Sequence, residues 1–178
     1  MRELLAKKAS RANSYEVVRL VANSKTKYSE LVEIIKENNS PYSEKAAWVI
    51  THCFDERAGF FDDFYSDFVQ IIGDESYSDS VKRNIVRILQ FKSIPTEFHG
   101  AVIDACFRLL TKKETAIAVK AFSMGVLDQM VKIYPELTNE LILCIEEILP
   151  GSSSGVKNRG NKILKKLKGS SPCWTFIT

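Results

Sequence analysis

The segment Asp79-Ser80-Val81-Lys82-Arg83-Asn84-Ile85-Val86-Arg87-Ile88-Leu89 decides how the rest of the chain is interpreted. Counted from Lys82, its apolar residues stand at offsets +3, +4 and +7, which is the spacing of one face of an α-helix. An acidic residue and a serine precede the apolar run, as at the start of a helix. We therefore predict an amphipathic helix over about residues 79–92.

The pattern recurs along the chain with an almost constant period. Four lysines, 37, 38 and 37 residues apart, occupy the equivalent position: Lys45, Lys82, Lys120 and Lys157. An apolar segment precedes each run, and these segments end 37, 38 and 39 residues apart, at Ile35, Ile72, Leu110 and Leu149. Two patterns that keep one register indicate an internal repeat, each copy made of two helices.

The repeat predicts an all-α fold of about four antiparallel helix pairs within one domain, residues 1–178. The pairs are expected at 28–38 with 43–57, 61–72 with 79–92, 97–111 with 115–133, and 136–149 with 154–168. A further helix is expected over about 3–23, and the apolar tail 169–178 is expected to cap the last repeat. A run of β-branched residues with alternating polarity is absent from the sequence, so a sheet is not predicted.

The quoted segment resembles the second helix of a HEAT repeat, which has an acidic or small polar residue, then Val-Arg, then apolar residues and a Leu. The resemblance extends over about residues 28–168 and implies a right-handed α-solenoid whose second helices line a concave surface. The tetratricopeptide repeat is the alternative, but its Trp-Leu-Gly-Tyr signature is missing.

Charge is distributed unevenly over the 178 residues. The formal net charge is only +3, yet residues 1–27 carry +5, residues 54–79 carry −7 and residues 151–178 carry +6. The total is too small to indicate nucleic-acid binding by itself. The four cysteines lack C-x-x-C spacing, and neither a membrane-spanning run nor a signal peptide is recognisable, so a cytoplasmic location is expected.

The repeated lysine is the first candidate for function, because a column of ammonium groups would suit phosphates. Its position in the first turn, close to the apolar stripe, favours a structural role instead. The HEAT resemblance implies an internal ladder in which this basic residue bonds to acidic side chains or carbonyl groups of adjacent repeats.

The neighbouring face, at offsets +1, +5 and +8, is expected to point toward solvent. In the first repeat it carries Ala46, Ile50 and Cys53. In the second and fourth repeats it carries the candidates for contact with an acidic partner: Arg83, Arg87, Lys162 and Lys165. The alternative is a solvated helix face that serves solubility.

Residues 54–68 combine acidic and aromatic side chains. Asp63 and Asp67 have the spacing of two metal ligands on a helix, but a second contributor is missing, so we predict no metal site. We expect an acidic outer face over an aromatic core stripe. Aromatic rings left exposed here would mark a protein-docking patch.

Catalytic chemistry and cofactors are not predicted. His52 and His99 are the only histidines. His52, like Trp48, stands at a core-facing offset of its helix, His99 is expected in a helix interior, and no recognisable motif places a nucleophile beside either. Gly151-Ser152-Ser153-Ser154-Gly155-Val156-Lys157 resembles the Gly-Ser-Ser-x-Met-Pro-x-Lys-x-Asn signature of the fumarase, aspartase and adenylosuccinate lyase superfamily. It departs from that signature at Gly155, Val156 and Arg159, and we do not predict lyase activity.

The resulting hypothesis is a non-catalytic scaffold that binds another macromolecule, in the first place a protein. The second helices, with Arg83 and Arg87, would supply one surface, and the segment near 54–68 another. The alternative is DNA binding, since the DNA-alkylation-repeat glycosylases resemble this architecture; their catalytic acid maps onto no residue here. The sequence leaves the oligomeric state open.

Overall fold

The structure, a computed structural model, describes residues 1–6, 11–56 and 59–169. Within these ranges it contains ten α-helices and no β-strand, which confirms the all-α prediction. The helices are α1 Arg2–Ala6, α2 Arg11–Ala22, α3 Lys25–Lys36, α4 Tyr42–Asp55, α5 Tyr65–Gly73, α6 Asp79–Leu89, α7 His99–Thr111, α8 Ile117–Ile133, α9 Thr138–Ile148 and α10 Ser154–Gly169.

Two expectations fall partly or wholly outside the described residues. The helix expected over 3–23 is described as α1 and α2, and residues 7–10 between them lie outside. The capping role of the tail concerns residues 170–178, which also lie outside the described residues. Elsewhere the first helices of the later pairs begin with a 3₁₀ turn: Phe61–Phe64, Thr96–Phe98 and Pro135–Leu137.

The chain forms two compact units, Met1–Ala105 and Cys106–Thr178, with the boundary inside α7. In the first unit, α2, α4 and α6 pack side by side, and α3 and α5 pack against each other and against this row. Each helix buries its apolar stripe between the two layers, as the repeat pattern requires. In the second unit, α8, α9 and α10 pack against one another.

Polar contacts across one repeat fix how α4 and α6 lie side by side. The Thr51 hydroxyl donates to Asn84 Oδ1 at 3.0 Å, and both residues are buried. The Ser78 hydroxyl donates to the Glu44 carboxylate at 3.1 Å. Because both contacts join residues 33 or 34 positions apart, the two helices run parallel in one register.

The second unit shows the same arrangement two repeats later. The Arg159 guanidinium donates to the Ala121 carbonyl oxygen at 2.7 Å, and the Lys166 ammonium donates to Asp128 at 2.6 Å. Each pair is separated by 38 residues. The period read from the sequence is therefore visible in the contacts between α8 and α10.

Candidate interaction surface

An aromatic cluster joins α2 and α4, two helices of the row formed by α2, α4 and α6. The ring of His52 stacks on Trp48 with their centroids 3.6 Å apart, and Tyr15 meets His52 edge-on at 5.9 Å. His52 donates from Nδ1 to the Trp48 carbonyl oxygen at 3.0 Å. All three side chains are half-buried, so their packing holds the rings in place while part of each remains accessible.

This cluster corrects the sequence interpretation of α4. Trp48 and His52 were expected on the stripe that faces the core, and Ala46, Ile50 and Cys53 on the side that faces solvent. The structure buries the latter three almost completely and leaves the former two half-exposed. The reason is that α2, α3 and α6 all pack against α4, so its small and aliphatic residues occupy the crowded sides and the bulky rings the open one.

Arg83 and Arg87 differ in what they offer a partner. The Arg87 guanidinium forms two hydrogen bonds to the Asp55 carboxylate, at 3.1 and 2.9 Å, and is half-buried. Arg83 is exposed and has no partner among the described residues. The expectation that both arginines contact a partner therefore applies more directly to Arg83, because Arg87 already joins two repeats.

The contacts place Arg83 and the aromatic cluster on one face. Asp55 lies seven residues after Trp48 on α4, and Arg83 lies four residues before Arg87 on α6, so each pair shares one side of its helix. The Asp55–Arg87 pair joins these two sides. We call the surface formed by Tyr15, Trp48, His52, Asp55, Arg83 and Arg87 the Trp48–Arg83 face.

Three of the four repeated lysines are buried or bonded to carbonyl groups of the chain itself, which is a structural role. Lys45 donates to the Leu5 carbonyl oxygen at 2.7 Å, and Lys120 donates to the Lys113 carbonyl oxygen at 3.3 Å. Lys82 is buried, with 6% of its surface exposed. Lys157 is exposed, and the Lys120 contact lies within its own repeat, so a ladder between adjacent repeats was the wrong expectation for the last two copies. In the last copy Arg159 makes the contact between repeats instead.

Helix α10 carries a basic face in the second unit. Lys162 and Lys165, both expected to face solvent, are exposed, and Lys157 joins them. No acidic partner for these three is present among the described residues. Their neighbours Lys166 and Lys168 are instead paired with Asp128 and Glu146.

The acidic residues near 54–68 form ion pairs with neighbouring helices. Asp63 pairs with Lys25 at 3.1 Å and Asp67 with Lys36 at 2.9 Å. Across the described ranges, three or more potential metal ligands do not come together anywhere. The predicted aromatic core stripe is present as Phe61, Tyr65 and Phe68, which are buried beneath the acidic side chains.

Burial raises the pKa values of thiols and phenols in the core. The pKa of Cys53 rises to about 11 and that of Cys106 to about 12, in both cases because burial disfavours the thiolate. Burial also raises the pKa of Tyr28. His99 is buried and its Nε2 donates to the Ile94 carbonyl oxygen at 2.7 Å. These groups lie in the core.

Comparison with known proteins gives one match. A family model described as a HEAT repeat domain matches residues 1–167, which is most of the chain. No curated protein and no solved structure matches. A search of the described helices for one long and apolar enough to cross a membrane finds none.

Proposed function

The chain belongs to the HEAT repeat family, and from that premise we propose that it binds a protein partner through the Trp48–Arg83 face. The family is generally non-catalytic, and a helical repeat scaffold is commonly an interaction module. The partner segment that suits this face carries a carboxylate for Arg83 and an apolar or aromatic side chain for Trp48.

The observation that carries this proposal is a half-exposed tryptophan on the same face as a guanidinium that no described residue engages. Tryptophan, tyrosine and arginine are the residue types most enriched among binding hot spots. Trp48 is already stacked on His52, so little side-chain entropy would be lost when a partner covers it. Asp55 and Arg87 hold the adjacent helices in register, which keeps the face preformed.

The charge of the face favours an acidic partner segment. Arg83 has five N–H donors that no described residue engages, and such donors bind carboxylates in a bidentate manner. The Asp55 carboxylate does not repel an acidic segment strongly, because Arg87 donates to both of its oxygen atoms. An exposed guanidinium of this kind contributes to specificity and to the association rate more than to affinity.

Replacing Trp48 with Ala, or Arg83 with Glu, is expected to weaken partner binding about tenfold or more, because each change removes a central hot-spot contact. The measurement is capture by the immobilised chain from the cells that make it, with captured proteins quantified by mass spectrometry. A partner identified in this way is then titrated against each variant.

The matched control is Lys132→Glu, which reverses an exposed charge in the other unit. It should leave capture unchanged. Equal capture by the Trp48→Ala variant, the Arg83→Glu variant and the unmodified chain would contradict the assignment of this face. Far-UV circular dichroism of each variant confirms that the helices are intact.

A second candidate, nucleic-acid binding, is favoured by the exposed lysines of α10. It predicts binding to labelled duplex DNA that weakens steeply as salt increases, because phosphate contacts release counterions. Under this alternative, replacing Lys162 and Lys165 with Glu should reduce the slope of the logarithm of the binding constant against the logarithm of salt concentration by about 2, which is about 1 for each lost phosphate contact. The measurement is fluorescence anisotropy at two salt concentrations. The protein-binding proposal instead expects no salt-sensitive DNA complex.

A further inference from the structure

In the first unit, the first helix of one pair is covered by an aromatic ring that precedes the first helix of the next pair. Phe60 meets Tyr28 of α3 edge-on, with ring centroids 5.9 Å apart. Phe98 stacks on Tyr65 of α5 at 5.8 Å. Tyr28 and Tyr65 are buried, with 1% and 4% of their surfaces exposed. The same kind of contact therefore occurs twice, one repeat apart.

These contacts use equivalent positions of the repeat. The apolar segments of the four pairs end at Ile35, Ile72, Leu110 and Leu149. Tyr28 and Tyr65 both stand seven positions before the end of their segment, which we call the covered position. Phe60 and Phe98 both stand twelve positions before the end of the following segment, which we call the covering position. In the fourth pair, the covered position is Ile142.

Helix α9 leaves its covered position partly open. Ile142 is half-buried, whereas the tyrosines at the same position of α3 and α5 are buried. The next residue, Leu143, is 66% exposed. Its equivalents in the first three pairs are all polar: Ser29, Ser66 and Asp104. Ile142 and Leu143 form an apolar strip on α9, at the place that a following element buries in a stack of repeats.

The sequence after α10 has aromatic residues at the spacing of the covering position. This position is occupied by Phe60, Phe98 and Leu137 in the second, third and fourth pairs, at intervals of 38 and 39 residues. Trp174 follows Leu137 by 37 residues, and Phe176 follows it by 39. Both aromatic residues therefore continue the period within the accuracy that the repeat itself shows.

A proline at the same place in the repeat selects Trp174. Pro135 begins the 3₁₀ turn Pro135–Leu137, so it stands two residues before the covering position. Pro172 stands two residues before Trp174. Proline has a fixed φ and no N–H group, which suits the first residue of such a turn and does not suit the continuation of a helix.

Helix α10 ends within reach of the apolar strip. The Lys168 ammonium donates to the Glu146 carboxylate of α9 at 2.6 Å. Leu143 lies three residues before Glu146, on the same side of α9 and about 5 Å away along the helix axis. Trp174 comes five residues after Gly169, the last residue of α10, and five extended residues span up to about 17 Å.

We propose that residues 170–178, which lie outside the described part of the structure, fold back onto α9 of the same chain, where Trp174 covers Ile142 and Leu143. The segment contains no charged residue, so its burial desolvates no charge. Its direct connection to α10 gives it a high effective concentration at this strip. The proposal concerns the second unit and does not rest on the function proposed for the Trp48–Arg83 face.

A double-mutant cycle tests the contact between Trp174 and Ile142. Trp174→Ala should lower the midpoint of thermal unfolding by about 5 °C, because the chain loses a packed aromatic side chain. Ile142→Ala should lower the midpoint of the unmodified chain by about 2 °C more than it lowers that of Trp174→Ala, because residues in contact are energetically coupled. Additive effects of the two substitutions would overturn the proposal.

The matched control is Ile148→Ala. Ile148 is also a half-buried isoleucine of α9, but it lies six residues from Ile142 and on another side of the helix. Its substitution should lower the midpoint equally in the unmodified chain and in the Trp174→Ala variant. Coupling of Trp174 to Ile148 as strong as that to Ile142 would contradict the assignment of the strip.

Tryptophan fluorescence measures the environment of the ring directly. Trp48 and Trp174 are the only tryptophans, so a Trp48→Phe variant emits from Trp174 alone. Its emission should lie at shorter wavelength, and acrylamide should quench it less, than for N-acetyltryptophanamide in the same buffer. Adding Leu143→Ser, which places on α9 the serine of the first two pairs, should move both values toward those of the free indole. Emission of the Trp48→Phe variant that already matches the free indole would overturn the proposal.

The dependence on protein concentration distinguishes the chain's own segment from that of a second copy. A segment that covers its own chain should give the same emission and quenching at every concentration. Protection of Trp174 that appears only as the concentration rises, together with a dimer in size-exclusion chromatography, would overturn the assignment to the same chain.

Discussion

Phe68→Ala is expected to lower the free energy of unfolding by about 3–5 kcal/mol, the cost of removing a fully buried phenyl group from a packed core. Phe68 lies in α5, has no exposed surface and stacks on Phe61 with centroids 4.4 Å apart. The cavity left behind lies between the two helix layers, where the backbone on either side is held by neighbouring helices. Urea denaturation followed by circular dichroism measures the loss.

The matched control for this substitution is Phe91→Ala. Phe91 is also a phenylalanine in an aromatic stack, but it is 66% exposed, and its removal should cost less than about 1 kcal/mol. Similar losses for the two variants would contradict the assignment of Phe68 to the core. The helix content of the Phe68→Ala variant should be retained.

The elements that sequence analysis predicted well are those set by local patterns. The lysine period located α4, α6, α8 and α10, because one apolar stripe per helix is enough to indicate a helix and its approximate ends. The 3₁₀ turn at Phe61–Phe64 was not anticipated, since consecutive aromatic and acidic residues fit an α-helix equally well. Its presence shifts the start of α5 to Tyr65.

The surface was predicted less completely than the fold. Arg83 was selected correctly as an exposed cation, because it lies just outside the apolar stripe of α6. Trp48 was missed, since its offset matches the core position of the other repeats. The signal that could have identified it is Ala46, Ile50 and Cys53, whose small or aliphatic side chains mark the true buried side of α4.

The remaining features depend on contacts between residues far apart in the chain. The Arg87–Asp55 and Lys92–Asp62 pairs join positions 32 and 30 residues apart. A helical wheel treats each helix alone and so counts both cations as free. Asp62, in the 3₁₀ turn before α5, meets Lys92, which follows α6, and only the packing of the two helices of one repeat creates that proximity.

The stability of the chain is expected to fall as pH rises above about 9, and Cys106 should account for a measurable part of the fall. Its pKa is about 12 in the folded chain against 9 for an ordinary thiol, because burial disfavours the thiolate. The folded state therefore retains this proton where the unfolded state loses it. The contribution is fully present below pH 9 and decreases by about 1.4 kcal/mol per pH unit up to pH 12.

Cys106→Ala tests this expectation through the slope of stability against pH. The variant should lose some stability at pH 7 because the substitution leaves a cavity. Between pH 9 and 11 its free energy of unfolding should fall by about 2–3 kcal/mol less than that of the unmodified chain.

Ser123→Ala is the matched control. Ser123 is equally buried, and its hydroxyl interacts with Cys106 in the direction that lowers the thiol pKa, but it has no proton to lose in this range. Its variant should therefore keep at least the full slope. If Cys106→Ala and the unmodified chain lose stability in parallel, the alkaline transition belongs to other buried groups, of which Tyr28 and Tyr65 have pKa values raised mainly by burial.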